Sequence, residues 1–378
     1  MRPLSLLLVA LLASGCASRG GVAEKDVHDA AEALDATTRR ILASDGVTRN
    51  DGYIYGMDVA WLMLYAAGRG DRTLYDSLHP AAARLIVTSP ADPYTNGFVL
   101  WRYKAGVDPE VSGAGESVAM ARALLAGADA FGNAGDRQLA QQVLAGYEKL
   151  FFGKGMTWTV RRYFNFATRA YGDLSVLTGY APDLLADNGA LLPAGDWPTP
   201  IERSYAALQM AAASNGLIRP VIAPELNEAW PDLALRAFAP DNIAPLEDSC
   251  MAAEAAVHGR PQIGKGVLSF ALDSAHTNFL GRLFAFFDVT TGKPVGETLL
   301  TPTGYACLIR LAVALDDRHA IAALGKWFSS DLELIAGEPN VHPAPLFAAG
   351  PLLVAAQALK ALPARATTAT HSRTAAGQ

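Results

Sequence analysis

Apolar residues recur at three- and four-residue steps through most of the chain, the period of helices that bury one face. The pattern predicts helices near 23–44, 53–69, 73–88, 115–132, 135–152, 163–178, 200–215, 246–258, 264–287, 301–315, 317–330 and 346–361. Residues 116–131 illustrate it: Val118, Ala121, Leu125 and Ala128 fall on one face. Alternating patterns are scarce, and only 97–103 and 288–292 predict short strands. Gly, Pro, Asn and Asp cluster at Asp45-Gly46, Pro90 to Pro93, Gly106 to Gly115 and Pro182 to Pro200, which marks these stretches as loops.

Helices in this number, joined by short turns and without a Pro/Ser-rich linker, suit one all-α domain over 23–362. Paired in sequence, they can close into a double ring, the (α/α)6 toroid, with a cleft built from the loops at one end. A superhelix of helical repeats is the rival, but no fixed-period self-similarity supports it. Periodicity is lost over 363–378, which reads as a disordered tail.

The first residues follow a different logic. Met1-Arg2 supplies one positive charge, Leu4 to Leu12 an apolar run, and Ala13-Ser14-Gly15 small residues before Cys16. That is a secretory signal over 1–15, too short for a permanent membrane helix. Small residues directly before a Cys resemble a bacterial lipoprotein signal, with Cys16 lipidated and 16–22 a short tether. Ala17 stands where an inner-membrane retention signal would carry Asp, which favours the periplasmic face of the outer membrane. An ordinary cleaved signal with an incidental Cys is the blander alternative. In an oxidising periplasm Cys250 and Cys307 could pair; two buried free thiols are the other reading.

Composition narrows the chemistry. Of 378 residues, 51% are hydrophobic and 18% charged, the make-up of a well-cored globular protein. The net charge is −6 and no dense Lys/Arg run occurs, which argues against a nucleic-acid partner. The seven His are scattered, with no H-E-x-x-H or Cys-His cluster, so no metal is expected. Gly113-x-Gly115 lacks a complete dinucleotide fingerprint, so no cofactor is expected either. Ser117, in G-E-S-V-A, is not a nucleophile elbow.

The most informative segment is Asn50-Asp51-Gly52-Tyr53-Ile54-Tyr55-Gly56-Met57, a polar loop entering an apolar helix. Such a junction can aim Asp51 into a cleft; taken alone, it reads equally as turn and cap chemistry. Together with DVAWLMLYAAGRGDRTLYDSL it resembles the opening motif of glycoside hydrolase family 8, which includes the endoglucanase of bacterial cellulose-synthesis operons. The family pattern there is Ser-Glu-Gly-x-x-Tyr-Gly. NGFVLWRYKAG (96–106) resembles the family's Gly-x-x-x-Trp-Lys strand, and Ser112 to Ala121 its Asp-Ala-Asp and Ala-rich helix. Tyr180-Ala181-Pro182-Asp183 and Ser204-Tyr205-Ala206-Ala207-Leu208-Gln209 resemble its Pro-Asp and Ser-Tyr-Asp-Ala-x-Arg blocks.

The resemblance spans about 23–215 and implies the toroid, a polysaccharide substrate and inverting hydrolysis. In that reaction one carboxyl protonates the leaving oxygen and another activates water. It assigns the acid to Asp51, one methylene shorter than the family's Glu. The family's substrate carboxylate falls on Gly113, its base on Ala206 and its following Arg on Gln209. Two readings stay open. Either Glu116, Asp173, Asp196 or Glu202 takes over base or substrate contacts, or the machinery has decayed and the protein binds glycan without cutting it. Tyr55, Trp101 and Tyr205 are candidate sugar-stacking residues, with Tyr53, Tyr103, Trp158 and Trp197 nearby; core packing is the alternative for each. Glu116 reads equally as an ordinary helix N-terminal acid. The expected partners are a secreted polysaccharide, the outer membrane through the lipid anchor, and exopolysaccharide synthesis or export machinery.

Overall fold

Two kinds of helix alternate along the chain. The computed structural model describes residues 24–89, 91–152, 159–172, 175–188, 198–224, 235–237, 242–338 and 344–362. Among them, an outer ring comprises α1 (Glu24–Asp45), α3 (Arg72–Leu85), α5 (Ala134–Glu148), α7 (Pro198–Ala211), α9 (Pro261–Ala271) and α11 (Arg318–Gly337). An inner ring comprises α2 (Gly56–Arg69), α4 (Ala114–Phe131), α6 (Pro182–Asn188), α8 (Leu246–Ala256), α10 (Pro302–Ala314) and α12 (Pro345–Lys360). The outer helices are amphipathic: α9 buries Ile263, Val267, Leu268 and Ala271 while Gln262, Lys265 and Ser269 face water. Inner helices are covered on both sides and apolar nearly all round, as in α10, where every residue from Thr303 to Ile309 is buried.

The inner ring closes on itself. α2 packs on α4, and the 3-10 turn Leu177–Gly179 bridges α4 to α8; α8 then meets α10, α10 meets α12, and α12 returns to α2. Outside, α11 packs against α1, with the Thr37 hydroxyl donating to the Ala336 carbonyl at 2.8 Å. One contiguous hydrophobic core runs through both rings. This is the (α/α)6 toroid that the periodicity predicts.

Short strands line the entrances to the inner helices. β1 (Ile54–Tyr55) pairs antiparallel with β2 (Arg102–Tyr103). β3 (Val111–Gly113) pairs with β6 (Tyr163–Asn165), which pairs with β7 (Ala170–Tyr171). β4 (Phe151–Phe152) pairs with β5 (Thr159–Val160), and β8 (Ser175–Val176), β9 (Val221–Pro224) and β10 (Leu235–Ala237) form a third sheet. β11 (Ile243–Pro245) pairs with β12 (Phe286–Asp288).

Several predicted elements differ: the loop expected over Gly106 to Gly115 holds β3 and the start of α4, the helix expected over 135–152 ends at Glu148 before β4, and three further differences have a local cause. The helix expected over 163–178 is instead β6, a turn, β7 and β8. Asn165 Oδ1 accepts from the Thr168 amide at 2.9 Å, and Arg169 takes φ +51°, so the chain reverses where a helix would continue. The helix expected over 264–287 ends at Ala271, because the Asp273 side chain accepts from the Ala275 amide and starts a separate turn. The loop expected from Pro182 contains α6, whose first residue is that proline. The pairing of Cys250 with Cys307 is settled: they form a disulfide between α8 and α10, with Cα atoms 6.1 Å apart.

Close packing at one junction depends on two glycines. Gly97, at φ +89°, passes so near α5 that a Cβ there would strike the Gln142 carbonyl, and a Cβ on Gly146 would strike the Gly97 carbonyl. Gly146→Ala is therefore expected to destabilise the protein by about 3 kcal/mol, the upper range for overpacking. A lowered urea midpoint at unchanged m-value would register it.

Candidate active site

In a ring of alternating antiparallel pairs all inner helices run the same way, so their first turns converge at one end. Three of them start directly from a strand: α2 from β1, α4 from β3 and α8 from β11. This end of the ring gathers the ionisable side chains described below.

The rim is built on the β1–β2 pair. Asp51 is exposed; its Oδ1 accepts from the Tyr53 amide at 3.0 Å and its Oδ2 from the Tyr55 hydroxyl at 2.6 Å. These bonds, the Tyr55 one foremost, hold the carboxyl below its usual range. Tyr55 lies edge-on to Trp101 at 5.7 Å, and the Trp101 indole N–H donates to Glu110 at 3.1 Å. Arg49 fixes the group from beneath. Its guanidinium stacks 3.7 Å from the Tyr55 ring centre and forks onto Asp58 at 2.7 and 2.6 Å, where Asp58 is 0% exposed.

The floor carries two further acids. Glu116, in the first turn of α4, is half-buried, and burial raises its pKa above the ordinary carboxylate value. A Cβ built on Gly113 would fall inside the Glu116 carboxylate, so the missing side chain at 113 leaves the space that this carboxylate fills. Asp248, in the first turn of α8, is pushed up to about 6 by burial and then by the charge of Glu247. The positive charge of Arg162 acts on both Glu116 and Asp248 and opposes the rise. Its own backbone carbonyl accepts from the Ala114 amide at 3.0 Å, which ties Arg162 to the start of α4.

Helix geometry places Asp248 toward the ring axis. One and two turns on, Met251 and Ala255 line an axial cavity of about 90 Å³, together with Met57, Trp61, Val118 and Arg122. Tyr163, directly opposite Gly113 in the β3–β6 register, is half-buried on the sheet face shared with Gly113.

The structure thus brings together Asp51, Tyr55 and Trp101 at the rim and sets Glu116 against Gly56 of the same junction. It does not bring in Glu202 or Tyr205. Both lie on the outer helix α7, Glu202 paired with Arg260 at 3.1 Å and Tyr205 buried beneath the same arginine. Ala206 is exposed on α7 and Gln209 bonds Gln262 of α9, so the segment matched to the family's base block lies in the outer ring. Asp173, Asp196, Trp158 and Trp197 lie outside the described residues. Among those described, no group of His, Cys, Asp and Glu is arranged to hold a metal ion. Sequence reasoning missed Asp248, Arg162 and Tyr163. The one available signal was the Glu247-Asp248 pair two residues after Pro245, at the mouth of an alanine-rich helix.

No family model and no curated relative matches the chain. Solved structures do. An α-amylase from Clostridium perfringens superposes with a TM-score of 0.67 at 13% identity, over 90% of this chain and 99% of that one. The endo-β-1,4-glucanase CMCax of Acetobacter xylinum gives 0.62 at 16% identity, over 87% and 97%. A xylobiose complex of a GH8 protein from Teredinibacter turnerae gives 0.58 at 14% identity, over 92% and 96%. At these identities the likeness is one of fold, the (α/α)6 barrel of family 8 glycoside hydrolases.

Proposed function

We propose that this protein is an endo-acting polysaccharide hydrolase using an inverting acid/base mechanism. The observation that carries the reading is the pair of floor carboxyls, Glu116 and Asp248, both raised by burial under the charge of Arg162 at the converging helix ends. Asp248 is the base that activates water, a role the resemblance leaves vacant at Ala206. Asp51 is the proton donor. Its carboxyl is ionised in the open cleft, and a glycan laid over it excludes water and raises it toward the protonated form. Glu116 takes the sugar contact that Gly113 cannot make. An inverting pair stands about 6.5–9.5 Å apart, leaving room for the water.

Tyr55 and Trp101 supply the stacking surface. Trp101→Ala is expected to raise KM by about tenfold, equivalent to ~1.4 kcal/mol, with kcat little changed. Michaelis curves on the best polymer from a panel check this. The substrate class is a β-linked glucan or other exopolysaccharide, and starch belongs in the same panel because one structural neighbour is an α-amylase.

A second reading, a glycan-binding protein that no longer cuts, is favoured by one observation: the exposed, hydrogen-bonded and ionised state of Asp51. Release of new reducing ends decides between the two. Turnover abolished in Asp51→Asn supports hydrolysis; binding without turnover supports the second reading.

The reading also takes Cys16 as a lipid anchor at the periplasmic face of the outer membrane, beside polysaccharide synthesis or export machinery. The Cys250–Cys307 disulfide supports an oxidising compartment. Labelling with a radioactive fatty acid, lost in Cys16→Ala, tests the anchor.

A further inference from the structure

Helix α8 carries two adjacent stripes with different tasks. Met251 and Ala255 line the axial cavity and Asp248 continues their stripe, whereas Glu247, Cys250 and Glu254 recur at i, i+3 and i+7 on the adjoining side toward α10, with Glu254 also reaching the cavity. Every member of the second stripe is joined to α10. At the cleft end, the Thr301 hydroxyl donates to Glu247 Oε2 at 2.6 Å while accepting from the Gly304 amide at 3.0 Å, so one side chain caps α10 and holds α8. In the middle, Cys250 and Cys307 are joined, at 0% and 1% exposure. Furthest from the cleft, Arg310 forks onto Glu254 with both bonds at 2.8 Å and stacks over Trp61 of α2 at 4.5 Å.

We infer that this three-rung lock is a positioning device for Asp248, and that the disulfide makes the cleft's competence depend on oxidation. The inference rests on the hydrolase reading above. Asp248 lies one residue from the first rung and two from the second, on a first turn that has no side-chain N-cap of its own. On the side facing α10 the first turn of α8 is held through these rungs, while the Leu246 amide bonds the Ala285 carbonyl at 2.8 Å and the Ser249 hydroxyl bonds the Ile218 backbone at 3.1 Å. The charges that act on Asp248 come from Glu247 on its own helix and from Arg162 before β6, and Arg162 acts on Glu116 of α4 as well. A rotation of α8 changes the distance from Asp248 to Arg162. Displacements near 1 Å in a catalytic group cost about 100-fold in rate. The core needs no such lock to collapse, because inner and outer rings share one continuous apolar interior.

The test compares the full chain with the double variant Cys250→Ala/Cys307→Ala and with Thr301→Val. Kinetics on the best polymer are paired with hydrogen exchange of the amides at 247–251. The expected result is a helical protein whose kcat falls by about tenfold or more with KM within about twofold. Exchange should quicken selectively at the first turn of α8, and Thr301→Val should show the same split to a smaller degree. Unchanged kcat in the double variant, with only a lower melting temperature, overturns the inference and leaves the disulfide a stability element. If the unaltered chain cuts no polymer, the hydrolase reading fails separately. Exchange then decides the lock alone: unchanged rates at 247–251 in the double variant overturn it, and locally faster rates sustain it.

Discussion

Asp248→Asn is expected to lower kcat by about 10²–10⁴-fold while leaving KM and the circular dichroism spectrum nearly unchanged, the range for losing a general base. Asparagine keeps the shape of the side chain and removes the ionisation on which the role depends. Because Asp248 is half-buried and carries a raised pKa, its neutral form already suits the site, and the fold should tolerate the change. Steady-state kinetics on the variant measure it directly. A kcat within threefold of the unaltered protein would remove Asp248 from the mechanism.

The pH profile follows from the same groups. In the open cleft Asp51 lies below its usual value and Asp248 at about 6, so at intermediate pH the single proton resides mainly on Asp248. The productive form, with the proton on Asp51, is the minor tautomer of that singly protonated state. Above about 6 both groups are ionised and this state disappears, so kcat/KM should fall as pH rises through that value. Below the pKa of Asp51 both are protonated, and it falls again. An acidic optimum is therefore expected; a profile still rising from pH 6 to 8 would contradict the assignment.

The second large effect is structural. Arg49→Leu is expected to destabilise the protein by about 3 kcal/mol, because it strands Asp58 as a buried acid without its cation. Arg49 is itself partly exposed, at 24%, which holds the figure to the lower end of that range. The same substitution removes the support under Tyr55, and so the rim geometry around Asp51 should loosen and KM should rise. Adding Asp58→Asn should recover part of the lost stability, since the stranded charge is then gone. Urea unfolding of the single and double variants checks both statements; equal stability of Arg49→Leu and the parent would refute them.

Much of the ring was legible because helices covered on one or both faces leave a strong periodic record. Of the strands, only those near 97–103 and 288–292 left a signal, which β2 and the end of β12 meet; the others did not, since segments such as Tyr163 to Asn165 are too short to show alternation and owe their pairing to distant partners. At the site, the Asp51 loop was legible from its polar residues entering an apolar helix. Asp248 was not, because two acids at a helix start are the usual response to the macrodipole. What separates Asp248 from ordinary capping is position toward the ring axis, which only closure of the toroid creates. Matching the base to Ser204 to Gln209 followed local residue similarity, yet that segment belongs to an outer helix, where an acid would face solvent.

The central claim is that carboxyls at the converging inner-helix ends cut a polysaccharide. The most direct measurement is release of new reducing ends by the full chain from β-glucans, amino-sugar polymers and starch at pH 5, with Asp248→Asn and Asp51→Asn alongside. Turnover on at least one polymer, lost in both variants, is the predicted result. Turnover that survives in Asp248→Asn, or binding by all three forms without any cutting, would contradict it.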